Sequence, residues 1–237
     1  MSSFDAETPA PPASRWEDYI DVYFSPSELF ARRAHDRALP ALVTLIALGA
    51  IAYYVLFPAN GIIMRASMPP EAAVPEAQRF ITVMAYLGGI MVAITHLVAV
   101  LWAALLLWGI AHGVELRPSF RQALLIAAYA GFIYLLAQIA GGVLAMIYGE
   151  GLSPMRDLSF GVSRFVDPES LPRALPPLLR RIDLFVIWQA VVWAIGVRVI
   201  LHASTAQAAI TAVGAWLLFA LPSVIGAALG IGQPPTG

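Results

Sequence analysis

The sequence contains no cysteine and no lysine. Without cysteine it can form neither disulfides nor thiolate metal sites. Without lysine it cannot build the phosphate loop Gly-x-x-x-x-Gly-Lys, and neither His-Glu-x-x-His nor Gly-x-Ser-x-Gly occurs. Charge is scarce as well. Asp, Glu and Arg make up 12% of the 237 residues, where a soluble domain carries roughly 25%. The net charge of −1 leaves no basic footprint for a nucleic-acid partner. No cofactor, metal or catalytic residue is therefore expected.

What is abundant is apolar surface: 59% of residues are hydrophobic and the mean hydropathy is +0.76. The stretch 80–111 carries no Asp, Glu, Lys or Arg. As a helix its residues would extend ~48 Å, against a hydrocarbon core of about 30 Å. It is too short for two spans and a turn. We read it as one tilted transmembrane helix with a bend at Gly88-Gly89, and as the element around which the chain is organised.

The rest follows in order. Residues 1–14 are Pro- and Ala-rich and read as a disordered tail. Residues 15–38 hold two capping patterns, Ser14 with Glu17 and Ser25-Pro26 with Glu28. Trp16, Tyr19, Ile20, Tyr23 and Phe24 share one helical face, and Arg32, Arg33 and Arg37 follow. This reads as amphipathic helix lying on the membrane surface. Spans are expected at 39–57, 80–111, 121–148, 182–203 and 206–231, making 39–231 a five-span, all-α domain. Tyr53 and Tyr54 read as interface anchors. Residues 58–79 read as a loop with an Asn60-Gly61 turn, and 149–181 as the largest loop, with a short helix capped at Asp167-Pro168. Ser204-x-x-Gln207 is a capping box opening span five, which Pro222 should kink. The first apolar run begins near Ala38, behind a polar stretch, which is not the pattern of a cleavable signal peptide.

Intramembrane polar residues are functional candidates by default. Asp183 and Arg198 lie fifteen residues apart, ~22 Å along a helix axis, with Gln189 and Gln138 as intermediate groups on a polar path. The plainer readings are a helix-terminal acid for Asp183 and an interfacial arginine for Arg198. His96 sits mid-span, either as a packing residue or for proton transfer. His35, His112, His202 and Glu115 fall at one membrane face, where three His and a carboxylate would suit zinc, although they sit on different connections. Small residues recur every four positions: Ala85, Gly89 and Ala93; Ala123, Ala127 and Gly131; Ala137, Gly141 and Ala145; Gly226 and Gly230. In lipid such seams let backbones approach, and Gly89 with Gly141 is the expected central pair.

With the spans placed, the chain resembles the Yip domain family. The resemblance rests on YFSPSELFARR (Tyr23–Arg33), on a long second span followed by a short link and a third, and on IDLFVIWQAVVWAIGVRVI (Ile182–Ile200). It implies a five-span fold with a cytoplasmic N-terminus. Eukaryotic members are implicated in vesicle traffic and membrane shaping through Rab-type GTPases. Their Asp-Leu-Tyr-Gly-Pro motif is absent here, so no GTPase-binding residue is carried over. Arginine alone cannot orient the chain, since seven fall on each side; the cluster before span one favours N-inside. An Arg-only, Ala-rich composition suggests a bacterial inner-membrane protein. The expected function is non-enzymatic, organising membrane or binding partners, whether the lipid bilayer, other membrane proteins or a second copy of itself. The alternative is a small-solute or ion permease subunit using Asp183, Arg198, Gln189, Gln138 and His96.

Overall fold

A computed structural model describes residues 16–67, 75–166, 171–172 and 175–229. Among them there is no strand, and the helices follow in the order α1 (Asp18–Phe24), α2 (Pro26–Arg33), α3 (Leu39–Val55), α4 (Phe57–Ala66), α5 (Pro75–Gly113), α6 (Phe120–Tyr148), α7 (Pro154–Asp157), α8 (Leu175–Leu179), α9 (Leu184–Ile200), α10 (Thr205–Phe219) and α11 (Leu221–Ala228). The fold is all-helical. Three segments are long and apolar enough to cross a membrane: Thr82–Gly113, Phe120–Tyr148 and Thr205–Ala228. A fourth arises if α3 and α4, bent by 77° at their junction, count as one span. Helix α9, apolar and 17 residues long, is shorter. The residues 1–14, Asp167-Pro168 and the C-terminal end of the fifth span, from Gly230 on, lie outside the described residues.

The starts are written in local chemistry. Ser119 and Gln122 form a reciprocal capping box at α6, and Ser204 with Gln207 forms another at α10. Pro26, Pro40, Pro58 and Pro222 all stand in the first turn of a helix, where a missing N–H costs nothing. Pro222 accordingly separates α11 from α10 at Ala220. Pro58 starts α4 where a loop was expected. Asn60 serves no Asn-Gly turn there: its Nδ2 donates to Tyr53 O at 2.9 Å, across the α3–α4 bend.

The centre of the bundle is α6, not the more apolar α5. It contacts α3, α5 and α9 directly, with α1 docked alongside; α10 closes between α5 and α9. Its buried face is mostly small: Ala123, Ala127, Ala128, Ala130 and Gly131 are all inside. A Cβ on Gly131 would collide with Leu45 of α3, so Leu45 seats on bare backbone. On the α9 side Gly196 does the same for Ile126, which a Cβ would meet at 2.8 Å.

Helix α5 runs unbroken through Gly88-Gly89. These glycines make room for Tyr53 and Tyr54, whose rings a Cβ at either position would strike. The Tyr53 hydroxyl donates to Ala85 O at 3.0 Å and that of Tyr54 to Tyr86 O at 2.8 Å. The two tyrosines thus clasp α3 to α5.

The N-terminal pair docks into the bundle. Asp18 is buried and accepts from Arg32 (3.1 Å) and Arg33 (2.8 Å) of α2; Arg32 also pairs with Asp21, and Arg33 with Asp36. With Asp18 held in this way, α1 turns part of its aromatic face inward. The Tyr23 hydroxyl donates to Phe132 O (2.6 Å), and those of Tyr19 and Thr44 pair at 3.0 Å. Trp16, Ile20 and Phe24 remain exposed. On α2, Phe30 is buried edge-on to Tyr129. The face expected to lie against lipid is therefore divided between bundle and surroundings.

Candidate polar sites and a cavity at one end of the bundle

Of the polar residues singled out by sequence, Asp183 and Gln189 line one cavity and the others are placed apart. Asp183 caps α9, its Oδ1 accepting from Phe185 N at 3.0 Å, while Oδ2 accepts from Phe160 N at 2.7 Å. Around it Val162 N donates to Ile182 O (3.1 Å), in an antiparallel bridge between Gly161 and Asp183. A Cβ at Gly161 would strike Ile182 O and lie 2.6 Å from Asp183 Cα; only glycine permits that crossing. Gln189 Nε2 donates to Ala130 O of α6 at 3.3 Å. Arg198 is exposed in the last turn of α9. Gln138 Oε1 is buried without a partner. No hydrogen bond links these groups into one path among the described residues.

His96 is buried, with Nδ1 2.8 Å from Val92 O. A carbonyl only accepts, so Nδ1 carries the proton and Nε2 is a bare acceptor, buried and unpartnered. The ring lies over Gly49 of α3 and 5.7 Å from the Tyr134 ring. His35, His112, His202 and Glu115 do not gather: among the described residues no group of three or more His, Cys, Asp or Glu could hold a metal. His112 instead meets Trp108 O at 2.8 Å, and Glu115 and His202 take positive φ (67° and 51°) just beyond α5 and α9.

The small-residue seams are unequal. Gly89 faces Tyr54 of α3, and a Cβ at Gly141 or at Gly226 would meet nothing within 4 Å. Gly89 and Gly141 are therefore not paired with each other; the close approaches include Gly88-Gly89 on Tyr53 and Tyr54, Gly131 on Leu45 and Gly142 on Leu56. Ala85 and Ala93 are half-buried, and Gly230 lies outside the described residues. Sequence reasoning could not rank Gly131 above Gly141, because composition gives every glycine equal weight, while only the facing side chain decides.

It also missed a cavity. About 430 Å³ opens among α6, the 154–163 segment, α8, the start of α9 and the α10–α11 junction. Arg180, Arg181, Asp183 and Gln189 line it, with Phe160, Phe185 and Phe219 as apolar wall. Arg181 is half-buried. Its Nη2 donates to Trp216 O (3.1 Å), Trp216 Nε1 donates back to Arg181 O (3.2 Å), and the guanidinium sits 5.8 Å and 5.1 Å from the Trp216 and Phe219 ring centres. Burial pushes its pKa down to about 10, because the charged form loses hydration. The available signal was Arg180-Arg181 directly before an apolar helix.

Long apolar helices joined through small-residue contacts define a polytopic helical membrane protein. The chain belongs to a known family of such proteins: the family model for the Yip1 domain matches residues 20–226. That range runs from α1 into α11. No curated protein and no solved structure matches the chain.

Proposed function

We propose that this Yip1-domain protein is a non-enzymatic, five-span organiser of the membrane in which it sits, acting by helix packing and by binding lipid or protein partners. Helices α3, α5, α6, α9 and α10–α11 are the five spans, with α3 and α9 each rising ~25 Å. The N-terminus is cytoplasmic and the membrane is a bacterial inner membrane. The observation that carries this reading is the use made of polar groups. Asp183, Gln189, Tyr23, Tyr53 and Tyr54 all hold backbone groups of neighbouring segments, which supports a scaffold, and among the described residues no hydrogen-bonded chain of polar side chains runs through it. The surface left for partners includes Trp16, Ile20 and Phe24, three exposed apolar residues one helical turn apart.

A permease reading has one observation in its favour: His96 Nε2 and Gln138 Oε1 are buried polar atoms with no partner. Reconstituted vesicles separate the two. The scaffold reading expects proton and small-ion flux no greater than in empty vesicles. Flux abolished by His96→Ala or by Asp183→Asn would replace it with the permease.

A further inference from the structure

We propose that the cavity at the α9 end of the bundle is a binding site for a phosphate group, seated on Arg181 and Arg180. Neither arginine forms an ion pair among the described residues. Asp183, the acid sharing the cavity, already has both carboxylate oxygens accepting backbone N–H groups. Arg181 is held from behind by Trp216 O and by the Trp216 and Phe219 rings, so its position is fixed without an anion. Its Nε is nevertheless buried and without a hydrogen-bond partner. A buried N–H left unmade costs free energy, and such an orphan in a native site points to a missing ion or water. Among the described lining residues two cationic groups outnumber the one acid, a net positive charge that selects an anion over water.

The guanidinium fork matches the geometry of phosphate oxygens, and it is less strongly hydrated than an ammonium, which suits a half-buried site. Arg180, exposed at the mouth, supplies the second charge. Ser159 and Ser163 line the same space with their hydroxyls 2.7 Å apart, offering neutral hydrogen bonds. Opposite them Phe160 and Phe185 stack edge to face at 5.0 Å, an apolar wall for whatever carries the phosphate. The volume of about 430 Å³ exceeds one phosphate and admits an organic substituent. Two sources share this chemistry: a phospholipid headgroup entering from the bilayer, and a soluble phosphate or phosphoester.

The test uses the full chain in a neutral maltoside detergent. Melting temperature is followed against phosphatidylglycerol, against diacylglycerol with the same acyl chains, and against inorganic phosphate. For the wild type, a saturating ligand should raise the melting temperature by roughly 5–10 °C at a hundredfold excess over its Kd. Protection by phosphatidylglycerol but not diacylglycerol identifies a headgroup; protection by inorganic phosphate alone identifies a soluble anion. In either case Arg181→Gln should raise the half-saturating concentration at least tenfold, and Arg180→Gln at least threefold. Arg180 is exposed and in no ion pair among the described residues, so its variant stands if Arg181→Gln fails to fold. No protection by either phosphate source, or protection unchanged in Arg180→Gln, overturns the site.

Discussion

Helices α5 and α6 run side by side, yet they solve opposite problems. Helix α5 is the more apolar, and 28% of its apolar stretch is buried; for α6 the figure is 61%. In a soluble protein that order would be reversed, because burial and hydrophobicity go together. In a bilayer Leu gains nothing by leaving lipid for protein, so large apolar residues stay outside and small ones go in. Val98, Leu101 and Leu105 of α5 are exposed, while Ala127, Ala130 and Gly131 of α6 are covered. The most hydrophobic segment marks the boundary with lipid. The centre is marked by alanine and glycine.

The sharpest way to break this comparison is to truncate matched side chains. Phe132→Ala on α6, where the ring is 1% exposed, should cost about 3–5 kcal/mol. Leu101→Ala on the outer face of α5 should change the detergent-phase unfolding free energy by less than about 0.5 kcal/mol. Equal losses would mean α5 is as buried as α6, through self-association of the chain.

Next in size is enlargement. Gly131→Leu drives a side chain into Leu45 and should cost about 1–3 kcal/mol. At Gly109 of α5 a Cβ would meet nothing within 4 Å, so Gly109→Leu should melt like the parent. A stable Gly131→Leu variant would refute close approach of α3 to α6.

The stretch where α5 is covered by α3 sharpens the contrast. Tyr53→Phe removes the bond to Ala85 O without altering shape, and a loss of about 0.5–1.5 kcal/mol is expected. No loss, measured by the same melting assay, would show that the glycine recess alone holds the contact. The smallest effect is at the end of α5. Glu115 stands at φ 67° while Leu116 N reaches back to Ala111 O at 3.0 Å, a helix stop that favours glycine. Glu115→Gly should stabilise by about 0.5–1 kcal/mol; a lower melting temperature would show that the carboxylate matters more than the backbone.

Helix existence was largely legible in the sequence because charge-free runs and capping residues are local signals. Ser204 with Gln207 and the Pro222 break could be read directly. The ranking of helices could not. Hydropathy marked both 80–111 and the Ala-rich 121–148 as spans but ranked 80–111 first, since a scale built on transfer to lipid scores the lipid-facing helix highest. Tyr53 and Tyr54 were read as interface anchors because aromatic residues at a span's end usually are; the Gly88-Gly89 recess that receives them lies 32 residues away in the chain. The burial of Asp18 has no local signal, because its arginine partners come fourteen and fifteen residues later, on another helix. Arg181 was passed over as one of several loop arginines, since sequence shows charge but not whether an acid answers it.

The 77° turn between α3 and α4 has a consequence for the surrounding bilayer. Before the turn α3 rises ~25 Å, whereas the charge-free part of α5 beside it extends ~48 Å. The protein therefore presents a short hydrophobic wall on one flank and a tall one on the other. On the five-span reading we propose, lipid around it would thin along α3 and thicken, or see a tilted helix, along α5, at fractions of a kcal/mol per ångström of mismatch, and the molecule would stand as a step between two local membrane thicknesses.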